Sequence, residues 1–534
     1  MMRSSCYLGL FLALTSGCSC DESTEPVAGG GTGGVGGIGG AGGGAGGSGG
    51  SGGASLVFSQ ARLDALYANP EVYPTIPVRV RAAASVDAVL VRLEDQSFQA
   101  TGPDAAGEWL AEVDISGLTP GLVTLTAEAE GITTDVDLVL GTEGVMITEF
   151  QTDGSGTGPR LFSTDASLSL VYAKREPEHA VLLLTLDGGL RPVGEPVTLL
   201  GSPAAPLYAE SLVVGDRVGI LYQEQGTPYA NYFTVVGLDG TELVAPIALD
   251  PAGASTARGG ALTYDGEAFV AVFRVIGATQ KDILWVRVNP ETGEVAGPTV
   301  IASAGAGLPI VDFIPFSPLS IAPMEGSTLV AFEGEVPIPS LGLDIPHSHY
   351  VTVQADGAAS PPVRFEQDDF TFHYEARLFT VQDKLVSLWS SGDLTDETIP
   401  IPTDFRTKVL GADGEFPSGD GNMVLDAPDD RAEPFMLSHS HHHAVLAWTD
   451  HRSYTEEGIQ NGRIELFTAS VSDALEADEP VIFPHARFIA TTGELNAAPA
   501  NPSGSNVVLT WVDERHGGGV TDPRPEVFLE TAWY

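Results

Sequence analysis

Val507-Val508-Leu509-Thr510-Trp511 is a short apolar run closed by an aromatic residue, and the chain makes the same arrangement six more times before it. Working back, the matching runs are Val445-Leu446-Ala447-Trp448, Leu385-Val386-Ser387-Leu388-Trp389, Leu329-Val330-Ala331-Phe332, Val270-Ala271-Val272-Phe273, Ile220-Leu221-Tyr222 and Leu170-Val171-Tyr172. The aromatics return roughly every 50 to 63 residues, a period that belongs to repeated supersecondary units. Shortly before each aromatic stands a turn, as in Gly215-Asp216, Asp265-Gly266, Glu325-Gly326, Gln382-Asp383 and Gly504-Ser505. A second turn follows, often Asp-Gly, at Asp187-Gly188, Asp239-Gly240, Asp356-Gly357 and Asp413-Gly414. Strand-like runs precede these turns, for example Ile283-Leu284-Trp285-Val286-Arg287-Val288.

One unit therefore reads strand, turn, aromatic-ended strand, loop, strand, turn, strand. That is a four-stranded antiparallel blade, and seven of them predict an all-β, seven-bladed β-propeller over residues 143–534. The seventh unit stops after its third strand, Glu526-Val527-Phe528-Leu529-Glu530-Thr531-Ala532-Trp533. A spare strand, Val145-Met146-Ile147-Thr148-Glu149-Phe150, stands just before the first unit. Pairing the two would close the ring and remove the open edges that invite aggregation. The seven aromatics are thus expected in blade cores and not in a ligand box.

Residues 55–142 form a separate block of alternating strands. Val78-Arg79-Val80-Arg81, Val89-Leu90-Val91-Arg92-Leu93, Trp109-Leu110-Ala111-Glu112-Val113 and Val136-Asp137-Leu138-Val139-Leu140 show the period of two. Turn signals such as Gly102-Pro103-Asp104 and Thr119-Pro120-Gly121 separate the runs. In pattern and length the block resembles a bacterial immunoglobulin-like β-sandwich, without that fold's disulfide. The resemblance implies a spacer.

The N-terminus has a signal character: Arg3, then an apolar stretch from Tyr7 to Leu14, too short to span a bilayer, then small residues. Thr15-Ser16-Gly17-Cys18 resembles the lipobox of bacterial lipoproteins, with Thr15 where that family carries Leu. The resemblance implies a signal peptide over 1–17, lipidation at Cys18 and an exported protein anchored in the outer membrane. Residues 18–54 would then be a tether, since 29–53 is almost wholly glycine and behaves as a flexible coil. Cys6, Cys18 and Cys20 are the three cysteines of the chain. The two folded blocks hold none, which excludes disulfides, thiol nucleophiles and thiolate metal sites from them.

Asp and Glu number 71 against 25 Lys and Arg, a formal net charge of −46. Such an excess repels polyanions and excludes nucleic acid as a partner. Clustered carboxylates would take Ca²⁺ if they took any cofactor, but no Asp-x-Asp-x-Asp-Gly loop is present.

His439, His441, His442 and His443 make up the most conspicuous cluster of ligating residues, with His347 and His349 repeating the i, i+2 spacing. On a strand such imidazoles could chelate a transition metal. The repeat register instead places His441-His442 with the turn residues of other units, on an exposed hairpin. Trp448-Thr449-Asp450-His451-Arg452 and Trp511-Val512-Asp513-Glu514-Arg515 resemble the Trp-x-Asp-x-Arg endings of bacterial propeller repeats, where carboxylate and guanidinium pair or bind a ligand.

Units four to seven carry long connections after the aromatic, at 333–348, 390–404, 449–461 and 512–525. All emerge on one propeller face, and long loops on a rigid scaffold are where binding sites are built. The expected binding residues are Asp393, Asp396, Asp450, Arg452, Asp513, Glu514 and Arg515. The function that follows is a surface-displayed binding protein for a glycan or a protein. The competing enzyme is a sialidase-like glycoside hydrolase, which paired carboxylates could serve. Against it, the Ser-x-Asp-x-Gly-x-x-Trp boxes of sialidases are missing, as are Gly-x-Ser-x-Gly and His-Glu-x-x-His.

Overall fold

The computed structural model describes residues 55–148 and 156–534, apart from 165–166, 175–178, 202–205, 225–229, 250–254, 277–279, 315–316, 341, 367–370, 394–403, 413, 427–430, 451–464, 484–485, 487–494, 502–504 and 514–525. Among these residues every regular element is a strand.

Eight strands form the leading block: β1 (Leu56–Phe58), β2 (Ala65–Ala68), β3 (Thr75–Ala82), β4 (Leu90–Leu93), β5 (Gln96–Gln99), β6 (Glu108–Asp114), β7 (Gly121–Ala129) and β8 (Ile132–Leu140). They make a three-stranded sheet, β1-β3-β6, and a five-stranded sheet, β2-β8-β7-β4-β5, in which β2 runs parallel to β8. The alternation read in the sequence is the alternation of burial. Val136, Leu138 and Leu140 of β8 face the same core as Leu125 and Ala127 of β7. β2 departs from it, being buried on both sides. Leu66 and Ala68 enter the sandwich core, while Tyr67 points the other way into a cluster with Leu161, Leu170 and Leu529 of the second block.

The second block is a β-propeller. Seven sheets follow in chain order over 156–201, 206–248, 255–305, 312–364, 371–426, 431–483 and 496–533. Six have four antiparallel strands, and the fourth has an innermost strand split into two pieces, Asp312–Phe313 and Ser320–Met324. The innermost strands touch in succession around the ring, and Gly156–Ser163 of the first sheet meets Asn496–Pro499 of the seventh. The seventh sheet takes its outermost strand from the other end of the block: β9 (Val145–Met146) pairs with Glu526–Trp533, Val145 opposite Leu529 and Met146 opposite Phe528. Ile147 N and Val527 O, 2.8 Å apart, continue the ladder. The closure expected from the spare strand is present.

All seven repeat aromatics are buried, as their apolar runs require. Phe365 stacks on Trp389, Phe467 on Trp448 and Phe528 on Trp511, so each fills the space between strands of its blade or the next.

One expected loop is not a loop. Residues 333–348 continue the second and third strands of blade 4, Ser327–Ile338 and Leu343–Gln354, in unbroken register out to Ile338 opposite Leu343. The reason lies in the alternation around the turn, which buries Ile338 and Ile345 against Phe372 of blade 5.

The sandwich is not a free spacer either. It packs on the propeller face formed by the first-to-second and third-to-fourth turns, over blades 6, 7 and 1. Arg62 donates to Ala500 O at 2.7 Å and to Thr164 O at 2.9 Å, and Trp533 Nε1 donates to Tyr67 O at 3.0 Å. Sandwich core residues form one continuous cluster with Val445, Leu466, Val507, Leu509 and Trp533.

Candidate functional site

The second strand of each blade runs out to the face opposite the sandwich, and the residue following the repeat aromatic lies on the way to that end. In successive blades it is Ala173, Gln223, Arg274, Glu333, Ser390, Thr449 and Val512, all buried. Two of the polar members, Arg274 and Glu333, reach across to the next blade. Arg274 Nη1 donates to Ser317 O at 2.5 Å, just before the main innermost strand of blade 4. Glu333 Oε1 accepts from Ala376 N at 3.2 Å, at a bulge in the innermost strand of blade 5. That bulge places Glu375 at φ 56°, a left-handed conformation uncommon for a non-glycine residue. Burial pushes the Glu333 carboxyl up to about 8, with the Glu375 charge adding to the rise and Ser317 and Arg274 opposing it. Glu333 is therefore a neutral acid at pH 7.

Beside it lies a buried set of imidazoles. His347 and His349 belong to the third strand of blade 4, not to a loop, and are 0% and 3% exposed. His373, on the innermost strand of blade 5, is held 2.8 Å from Glu366 Oε2, and its ring meets that of His347 edge-on with centroids 5.2 Å apart. His349 Nδ1 donates to His347 O at 2.8 Å, and its ring stacks on Phe332. Burial drives His349 down to about 3 and His347 lower still, so both are neutral. Burial acts to raise the Glu366 carboxyl, but hydrogen bonds from His373 and from Gly421 N outweigh it and hold the group below its ordinary value. Both ring nitrogens of His347 are without hydrogen-bond partners. Lys408 donates to Phe365 O and Gly419 O, and burial lowers its pKa.

The expected binding residues divide in two. Asp393, Asp450 and Asp513 end the second strands of blades 5, 6 and 7, so their backbones come to the same face. Asp513 is wholly buried, paired in register with the buried Glu526. Asp396, Arg452, Glu514 and Arg515 lie outside the described residues. The sequence reading missed Arg274, Glu333, Glu366 and His373. A signal for the first two was available, since Phe273-Arg274 and Phe332-Glu333 put a charge straight after an apolar run that the repeat marks as core.

The histidine hairpin of blade 6 occupies the turn that its register predicts, between Arg431–Ser438 and Ala444–Asp450. It is not exposed. His439 and His443 are buried, and His441 sits against Glu108 of the sandwich at 3.1 Å. The turn was legible locally, while the module covering it comes from more than 300 residues earlier in the chain.

No protein-family model matches the chain, and no curated protein matches it. Solved structures do. An α-L-arabinanase from Penicillium chrysogenum aligns at a TM-score of 0.42 and 10% identity, over 61% of this chain and 93% of its own. The lectin BP39L from Burkholderia pseudomallei aligns at 0.46 and 12%, over 71% and 95%. The β-propeller domain of the trilobed protease from Pyrococcus furiosus aligns at 0.39 and 10%, over 71% and 97%. At these values the likeness carries no argument about activity.

Proposed function

We propose that this chain is an exported binding protein, lipid-anchored through Cys18 to the outer membrane, that presents one propeller face to a glycan or protein. The observation that carries the reading is the inequality of the two faces. The sandwich, whose strand order supports an immunoglobulin-like module, is packed across the turn face at blades 6, 7 and 1. The opposite face receives the strand ends at Asp393, Asp450 and Asp513. The tether would leave that face free for a ligand.

A hydrolase is supported by one feature, the raised pKa of Glu333, since a neutral acid near pH 7 can donate a proton. Glu333 is 1% exposed and bonded to the Ala376 backbone, which suits a role between blades better than contact with substrate.

The test incubates purified protein with an array of envelope and extracellular polysaccharides, with and without Ca²⁺, scoring retained protein and released product. Retention without product is expected. Arg452→Ala and Arg515→Ala should weaken retention at least tenfold with Tm unchanged. Released sugar that disappears in Glu333→Gln would make the chain a hydrolase instead.

A further inference from the structure

We infer that the joint between sandwich and propeller is a binding site for a divalent transition-metal ion of the zinc class, held by Asp104, Glu108 and His441. One donor atom of each lies within 4.8 Å of the others. Glu108 begins β6 of the sandwich, Asp104 stands in the turn before it, and His441 comes from the blade 6 hairpin. A tetrahedral ion with bonds of about 2.0–2.1 Å sets its ligands roughly 3.3 Å apart. Glu108 Oε2 and His441 Nε2 are 3.1 Å apart, and Asp104 Oδ2 is 3.9 Å from the ring's other nitrogen.

A second observation points to a ligand. Glu108 is 3% exposed; its Oε1 accepts from Arg81 Nη2 at 2.9 Å, while its buried Oε2 makes no well-aligned hydrogen bond and faces only the His441 ring nitrogen. A buried carboxylate oxygen so placed costs free energy that a bound cation would recover. The facing imidazole suits the purpose. Its Nε2 faces Glu108 Oε2, as a ligating ring nitrogen would.

Neighbouring bonds hold the donors in place. His441 N donates to His439 Nδ1 at 3.2 Å, and His439 Nε2 bonds Ser505 O at 3.0 Å, which fixes that tautomer and the hairpin with it. Asp104 Oδ1 accepts from Ala106 N and Glu108 N, leaving Oδ2 for the ion. Arg79 and Arg81 oppose a cation, against the three carboxylates of Glu108, Asp104 and Glu112. An imidazole in the set favours zinc-like ions over Ca²⁺, which takes oxygen ligands. Asp104 is 40% exposed and gives the ion a way in.

The experiment uses the full chain with Cys6→Ser, Cys18→Ser and Cys20→Ser, so that no thiolate competes for metal. Zn²⁺ uptake is measured by equilibrium dialysis, and Tm with and without the ion. One Zn²⁺ per chain is expected, with a higher Tm when loaded, because an ion bound only by the folded state stabilises it. Glu108→Gln and His441→Ala should each weaken uptake at least tenfold. Asp104→Asn keeps both turn hydrogen bonds, so it should fold normally and still lose affinity. No saturable uptake overturns the inference, as does uptake unchanged in all three variants or saturation by Ca²⁺ alone.

Discussion

At the scale of single residues, Glu333 shows how a repeat position is turned to a particular use. The residue after the aromatic is apolar in blades 1 and 7, where Ala173 and Val512 fill it. In blade 4 a carboxyl occupies the place and bridges to the bulge at Ala376. Its pKa of about 8 stands above the ordinary 4.5, so the folded protein keeps a proton that the unfolded chain releases. Its contribution to stability is therefore fully present below pH 4.5 and is lost as pH rises toward 8. Glu333→Gln replaces the neutral acid by a neutral isostere and removes that slope. The variant should match the parent near pH 4 and exceed it in Tm at pH 8, by up to about 4 kcal/mol in stability. Thermal unfolding across that range checks it, and parallel pH profiles would show that Glu333 is ionised in the fold.

At the scale of elements, the sequence was most legible where the pattern is local. Strand alternation, the turn positions and the aromatic of each blade follow from a period of two punctuated by Gly and Asp, and the strands stand where those signals put them. The hairpin 333–348 was less legible because Pro337, Pro339, Pro346 and His347 read as loop composition, whereas the burial of Ile338 and Ile345 against Phe372 decides the matter. That partner lies in another blade, and no window around the hairpin contains it. The closing strand β9 is a different case, readable only by counting strands at both ends of the repeat. Just two of its residues enter the ladder, opposite Phe528 and Leu529. Replacing Val145-Met146-Ile147-Thr148 by Gly-Ser-Gly-Ser should uncover the edge of Glu526–Trp533. The expected result is a lower Tm together with concentration-dependent association in light scattering, since an unpaired edge recruits other chains. A variant that stays monomeric with its Tm intact would mean that β9 is dispensable for closure.

At the scale of the whole molecule, the sandwich and propeller share one continuous apolar cluster, and this was the part the sequence concealed. Each block has its own pattern and reads as separate, while the join depends on side chains far apart in the chain: Arg62 with Ala500 and Thr164, Tyr67 with Trp533, Asn69 with Glu530. The same join buries the histidine hairpin that register alone left exposed. Tyr67 explains why the join is strong. It sits on a strand whose other residues serve the sandwich core, so its burial in the propeller cannot be withdrawn without moving β2 itself. Cooperative unfolding follows: a single calorimetric transition is expected, with Trp109 of the sandwich and the five propeller tryptophans changing fluorescence together. Arg62→Ala with Trp533→Phe removes the buried hydrogen bonds of Arg62 and that from Trp533 to Tyr67, which cost about 1.5–3 kcal/mol where a charged group is involved. That double variant should separate the two transitions while leaving the strand content by circular dichroism unchanged. Two transitions already present in the parent protein would show that the blocks unfold independently, and that the apolar cluster running from Leu66 to Leu509 does not couple them.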